Sequence, residues 1–109
     1  MLIDYARQVL EIEAKTLVEL SERLDDSFTQ ACEMLLTCKG RIVVSGIGKS
    51  GHIGRKISST LSSTGSPSFF VHPAEASHGD LGMVTKEDIV IAISYSGESP
   101  ELNLITPAL

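Results

Sequence analysis

The sequence predicts an α/β fold built on a doubly wound parallel sheet. Three short segments are largely apolar, RIVVS, SFFVH and DIVIAIS, as expected of strands that helices cover on both faces. A helical pattern and a long polar segment separate them, and this alternation indicates crossover connections. Right-handed crossovers give the strand order 2-1-3, so the first and third strands lie side by side.

Two helices are predicted ahead of the sheet. Leu2 to Leu24 carries an apolar stripe at helical spacing among acidic residues. Ser27 is predicted to cap a second helix that ends at Lys39-Gly40. We therefore expect a helical segment over 1–40 that packs on a sheet domain over 41–109.

The remaining elements follow the strands in order. A helix is predicted from Ile53 to Leu61, HPAEASHGDLGMV is predicted to be mainly loop, and YSGESPELNLI turns into another helix. A doubly wound sheet usually has five or more strands, and the sequence stops just after the third. We therefore expect the chain to be the front part of a longer protein.

Composition narrows the classes of partner. With 109 residues and a net charge of −5, the chain has room for one domain and no clustered basic surface for nucleic acid. The acidic N-terminal residues exclude a signal peptide or a membrane span. Cys32 and Cys38 match no metal or redox spacing and are typical of buried thiols in a cytoplasmic protein.

The glycine-rich loop after the first strand indicates a phosphate site. A nucleotide-hydrolysing P-loop would need glycine at position 43, where the sequence has valine. Gly46, Gly48 and Gly51 match the dinucleotide pattern G-x-G-x-x-G. However, His72 and Pro73 stand where an acidic residue would bind a ribose, and Glu75 comes late. A tight turn without ligand is the structural alternative, which Lys49 and Ser50 make less attractive.

A second loop favours one phosphate monoester. SYSGES places Ser94, Ser96 and Ser99 after the third strand, ahead of a helix start. One serine there would be explained as a cap, whereas three hydroxyls with backbone N–H groups form an anion site. In the order 2-1-3 this loop and the glycine loop leave adjacent strand ends, so we expect them to converge.

The segment HPAEASHGD offers acid–base chemistry. It contains His72, Glu75, His78 and Asp80 between two strands. Three interpretations stay open: a solvated loop, a metal site whose spacing fits no zinc signature, and an imidazole beside a carboxylate that transfers protons. The last is favoured because a phosphate site lies nearby, and no metal or cofactor is expected.

Three of these stretches together resemble the sugar isomerase (SIS) domain of D-arabinose 5-phosphate isomerases: GIGKSGHIGRK, GSPSFFVHPAEASHGDLGMV and IAISYSGESPEL. The resemblance implies a flavodoxin-like sheet and the interconversion of D-ribulose 5-phosphate and D-arabinose 5-phosphate through an enediolate, for Kdo and lipopolysaccharide synthesis. It also implies a cytoplasmic homo-oligomer, a tetramer in the family, with a small pentose phosphate as its ligand.

The resemblance also assigns roles to residues. Those that would bind the phosphate and substrate are Gly48, Ser50, Ser94, Ser96 and Ser99. Those that would be catalytic are Lys49, Glu75, His78 and Glu101. Lys49 would place a positive charge beside the enediolate, and His78 is the candidate for proton transfer. For Glu101 a helix-start carboxylate favoured by the dipole is an equal alternative.

Departures from the family raise a second hypothesis. Family members continue into further strands, another carboxylate and a histidine, and usually a pair of CBS domains, none of which this sequence contains. We therefore expect the chain alone to be inactive. A non-catalytic sugar-phosphate sensor is the alternative function, less favoured because no basic recognition helix precedes the sheet.

Overall fold

The computed structural model describes residues 1–76 and 79–96, except for the side chains of 80 and 81. Its internal contacts divide the chain into two units, Met1–Glu33 and Met34–Leu109. Among the described residues, no helix combines the length and apolarity needed to cross a membrane.

The first unit is helical. Helix α1 spans Leu2–Arg23, as predicted, and buries none of its side chains. Its large apolar residues are exposed, including Leu10, Leu17 and Leu20. The amphipathic pattern predicted from the sequence therefore forms a helix whose apolar stripe is exposed.

Helix α2 (Asp26–Leu36) differs from the prediction at both ends. Asp25, and not Ser27, acts at its start: Asp25 Oδ1 accepts hydrogen bonds from Ser27 N at 2.9 Å and from Ser27 Oγ at 2.5 Å. The bond from the Ser27 hydroxyl has the larger effect on the pKa of the Asp25 carboxyl. Together with the bond from Ser27 N, it holds this pKa below its usual value. The helix ends before Lys39, so the predicted C-terminal signal at Lys39-Gly40 was wrong.

The second unit is a three-stranded parallel sheet with strand order 2-1-3, which confirms the predicted topology. Its elements in chain order are β1 (Ile42–Gly46), α3 (Lys49–Ser63), β2 (Ser68–Phe70), α4 (Pro73–Ala76), a 3-10 turn (Asp80–Met83) and β3 (Ile89–Ile93). All five residues of β1 are buried because β1 is the central strand. The segment predicted to be mainly loop thus contains two short helical turns.

The two faces of β1 pack against different parts of the chain. On one face, Val44 and Phe70 meet Gly54 of α3, where an added Cβ would lie 3.1 Å from each of their side chains. The other face carries Val43, which clusters with Val71 and Ala76. Helix α3 therefore covers one side of the sheet, and the segment after β2 covers part of the other.

A network of hydrogen bonds joins the start of β1 to the turn before β3. Asp88 Oδ1 accepts from Arg41 N at 2.6 Å, and Asp88 Oδ2 accepts from Thr85 N at 2.7 Å. Gly40 N donates to the carbonyl oxygen of Glu87 at 3.1 Å. An added Cβ on Gly40 would collide with Asp88 Oδ1, so this glycine serves close approach and not a helix C-cap.

Asp88 should make stability depend on pH in the acid range. The backbone N–H of Arg41 first, and then that of Thr85, hold the pKa of the Asp88 carboxyl below its usual value of 3.8. A lowered pKa in the folded state means that the stabilisation is complete above the unfolded-state pKa. It is lost as the pH falls through the folded-state pKa.

We therefore expect Asp88→Asn to be less stable than the parent chain at pH 7, and the two to converge as the pH falls below about 4. Urea unfolding at pH 7, 5, 4 and 3 measures this difference. Glu87→Gln is the matched control, because Glu87 bonds to Gly40 through its backbone carbonyl, which this substitution leaves in place. A constant difference between Asp88→Asn and the parent across this range would contradict the assignment.

Candidate functional site

The glycine loop turns directly into helix α3. Gly48 has φ +61° and ψ −127°, a conformation that favours glycine, and it occupies the N-cap position of α3. The first helical bond runs from His52 N to the carbonyl oxygen of Gly48, 3.1 Å apart. The helix thus begins at Lys49 and not at Ile53 as predicted, so Lys49 and Ser50 form its first turn.

Two other glycines let the helix approach the strand closely. A Cβ on Gly51 would lie 2.7 Å from the carbonyl oxygen of Gly46. A Cβ on Gly46 would lie 3.0 Å from the carbonyl carbon of Ser50 and 3.1 Å from the carbonyl oxygen of Ile93. Around Gly48, in contrast, an added Cβ would meet nothing within 4 Å. The loop is therefore closely packed at Gly46 and Gly51, whereas the space around Gly48 is open.

The start of α3 is suited to an anion. The N–H groups of Lys49, Ser50 and Gly51 precede the first intrahelical bond and so have no acceptor within the helix. The helix carries no acidic residue, and Lys49 lies in its first turn. In a chain of net charge −5, this supplies the local positive charge that a phosphate needs.

The serine loop leaves the sheet beside the glycine loop. Gly46, the last residue of β1, pairs with Ile93, the last residue of β3. Ser94, half-buried, and Ser96, exposed, follow immediately on β3. Because of this register, the two loops leave the same edge of the sheet at neighbouring positions. The predicted convergence of the loops rests on this pairing.

The segment after β2 contributes Glu75. Strand β2 ends beside β1, with Phe70 paired to Val44, and Glu75 lies on α4 with its side chain exposed. Next to it, His72 Nδ1 accepts a hydrogen bond from Ala74 N at 3.1 Å. Because a backbone N–H can only donate, Nδ1 carries the lone pair, and Nε2 is the ring nitrogen left to bond elsewhere.

The three carboxyl ends of the strands thus carry Gly48, Lys49, Ser50, Glu75, Ser94 and Ser96 at one edge of the sheet. His78, Ser99 and Glu101 lie outside the described residues, and their assigned roles stay predictions. Within residues 1–76 and 79–96, no group of three or more His, Cys, Asp or Glu is arranged to hold a metal ion. The arrangement places helix-start N–H groups, three serine hydroxyls and a lysine at this edge, which are the kinds of group that bind a phosphate.

The comparisons with known proteins agree with this class of fold. The SIS domain family model matches residues 35–108, and the chain therefore belongs to the SIS domain family. It is 59% identical over 103 residues to the arabinose 5-phosphate isomerase KdsD of Escherichia coli K12, covering 94% of this chain and 31% of that protein.

Two further relatives extend the comparison. The arabinose 5-phosphate isomerase GutQ of E. coli K12 is 56% identical over 108 residues, covering 99% of this chain and 34% of that protein. A solved structure, E. coli CFT073 c3406 in complex with arabinose 5-phosphate, matches with a TM-score of 0.91 and 45% identity, covering 98% of this chain and 57% of that chain. The chain thus spans about a third of the length of the curated relatives that it matches.

The sequence analysis did not identify the contact of Arg41 with Asp88, which joins the residues ahead of β1 and β3 in the sheet that supports the site. Their contacts join residues 47 positions apart, so no local spacing signals them. The cue that the sequence offered was Gly40, whose lack of a side chain allows the approach of Asp88.

Proposed function

We propose that this chain is the phosphate-binding part of an aldose–ketose isomerase that interconverts D-ribulose 5-phosphate and D-arabinose 5-phosphate. The observation that carries the proposal is the pairing of Gly46 with Ile93, which brings the glycine loop and the serine loop to adjacent strand ends. The relatives named above are arabinose 5-phosphate isomerases, and their similarity covers nearly all of this chain.

The residues divide into a binding set and a reacting set. The N–H groups at the start of α3 and the hydroxyls of Ser50, Ser94 and Ser96 hold the phosphate, with Ser99 as a further predicted donor. The phosphate fixes the sugar so that its C1 and C2 lie over the open side of the loop. Binding energy from this unreactive group then orients the reacting carbons.

The isomerisation moves a proton between C1 and C2 through an enediolate. Lys49 borders the phosphate site, and its ammonium stabilises the oxyanion that develops as the proton leaves. Glu75 lies at the neighbouring strand end, and His78 is the group predicted to carry the proton. Glu101 is predicted to complete the acidic set.

The wider setting is also proposed. The product supplies Kdo and lipopolysaccharide synthesis, and the enzyme works in the cytoplasm as a homo-oligomer. The exposed apolar stripe of α1 supports self-association, because a row of leucines on one helix face is a common interface between helices. The pairing of β3 with β1 on one side supports a longer sheet in the assembled protein.

Ser96→Ala tests the proposed phosphate site. We expect it to weaken binding of arabinose 5-phosphate by about ten- to a hundred-fold, since it removes a hydroxyl bonded to a charged phosphate. Isothermal titration calorimetry on the 109-residue chain measures the affinity. Ser63→Ala, which removes a hydroxyl bonded to the carbonyl oxygen of Ser59 within α3, is the matched control. Equal affinities of Ser96→Ala and the parent would refute the assignment.

A further inference from the structure

The segment that carries Glu75 leaves the sheet and returns to the same apolar cluster. Val71 and Ala76 at its start are buried with Val43, and Val84 just beyond its end packs against them. We call residues 72–83 the bordering segment, because it begins at the strand end that borders the phosphate site. Its two described parts, 72–76 and 79–83, are attached in different ways.

The start of the bordering segment is attached through the backbone. Val71 N donates to the carbonyl oxygen of Val44 at 2.9 Å, which continues the pairing of β2 with β1. Ala76 N then donates to the carbonyl oxygen of His72, also at 2.9 Å. This end continues a paired strand and needs no side chain to hold it.

The returning end is attached differently. Gly79 N and Gly82 N donate to carbonyl oxygens three residues back, at 3.2 and 3.0 Å, so these bonds shape the turn without joining it to the sheet. Arg41 joins it: Nη2 donates to the carbonyl oxygen of Met83 at 2.8 Å. A side chain from the beginning of β1 thus fixes the end of the bordering segment.

Arg41 is itself held in place by three contacts. Its guanidinium carbon lies 4.4 Å from the centroid of the Phe69 ring, which stacks the planar group on the sheet. Its backbone N donates to Asp88, and its carbonyl oxygen accepts from Ile89 N at 3.1 Å. Because the contact with Phe69 already restricts the side chain, its bond to Met83 costs less additional conformational entropy.

We propose that Arg41 is a positioning residue of the isomerase site. It fixes the returning end of the bordering segment, which also carries Glu75, a residue predicted to act on the sugar and not on the phosphate. This inference rests on the proposed function. It predicts that losing Arg41 impairs recognition of the sugar while recognition of phosphate alone, by the glycine and serine loops, stays intact.

The test compares Arg41→Met, Arg41→Lys and the parent chain. Hydrogen exchange at the Gly79 and Gly82 amides reports the attachment, and calorimetry gives affinities for arabinose 5-phosphate and for inorganic phosphate. We expect Arg41→Met to speed exchange about ten-fold and to weaken arabinose 5-phosphate binding about ten-fold, with phosphate affinity within about two-fold. Arg41→Lys should recover only part of this, because an ammonium cannot stack and donate as the planar guanidinium does.

Arg55→Met is the matched control. Arg55 places its guanidinium carbon 4.2 Å from the centroid of Phe70 on the other face, so its loss removes a similar stacking contact away from the bordering segment. This variant should keep the exchange rates at Gly79 and Gly82. A general loss of structure in Arg41→Met would instead weaken the binding of both ligands equally and lower the melting temperature of the protein.

The outcomes separate the inference from the function on which it rests. Unchanged exchange at Gly79 and Gly82 in Arg41→Met overturns the inference, as does an equal loss of affinity for both ligands. A parent chain with no preference for arabinose 5-phosphate over inorganic phosphate counts against the proposed function instead. In that case the exchange rates still decide whether Arg41 attaches the segment.

Discussion

Lys49→Met is expected to lower turnover by about 100- to 1,000-fold while leaving the affinity for the pentose phosphate within a few-fold. The structure places Lys49 in the first turn of α3, exposed beside the open side of Gly48. A positive charge at that point stabilises the substrate most when negative charge develops on it, and this happens in the transition state. Its loss should therefore appear in kcat much more than in KM.

The measurement needs an active enzyme. We suggest a chimera in which this chain replaces the matching third of E. coli GutQ, with which it is 56% identical. Lys56→Met is the control, since Lys56 is an exposed lysine of the same helix, two turns further along. Near-normal kcat in Lys49→Met, or an equal loss in Lys56→Met, would show that Lys49 does not act on the reacting atoms.

Gly51→Ala should give the largest loss of stability among the glycine variants of the loop, about 1–3 kcal/mol. The added methyl would lie 2.7 Å from the carbonyl oxygen of Gly46 and 3.3 Å from its carbonyl carbon. Both atoms belong to the backbone of the central strand, so neither can move aside without disturbing β1. Helix α3 would have to shift away from the strand end, which also alters the phosphate site.

Chemical denaturation of the chain measures this loss as a lower midpoint with an unchanged slope. Gly82→Ala is the matched control, because a Cβ there would meet nothing within 4 Å and the residue does not have positive φ. That variant should stay within about 0.5 kcal/mol of the parent. Equal stability of Gly51→Ala and the parent would show that α3 is not seated on Gly46 as described.

The central architecture could be predicted because it depends on patterns within single segments. Apolar strands separated by crossover connections gave the parallel order 2-1-3, which the register of β1 with β2 and β3 confirms. The glycine loop could be proposed as a candidate site for the same reason, since Gly48, Lys49 and Ser50 are neighbours in sequence.

Boundaries and long-range contacts were less accessible to prediction. Helix α3 starts four residues earlier than predicted because glycines lower helix propensity, while the close packing of Gly51 on Gly46 favours the helix there. The start of α2 was misassigned because Asp25 and Ser27 are both good capping residues. The bond from Arg41 to Met83 spans 42 positions and has no local signature.

The order of the strands also sets the entropy of closing the chain. Ile42 pairs with Ser68 on one side and with Ile89 on the other, so the second pairing closes a loop nearly twice as long as the first. For a flexible chain that difference amounts to about 0.5 kcal/mol. The pairing of β3, and with it the contact of Asp88 with Arg41, is thus the more costly of the two closures in chain entropy.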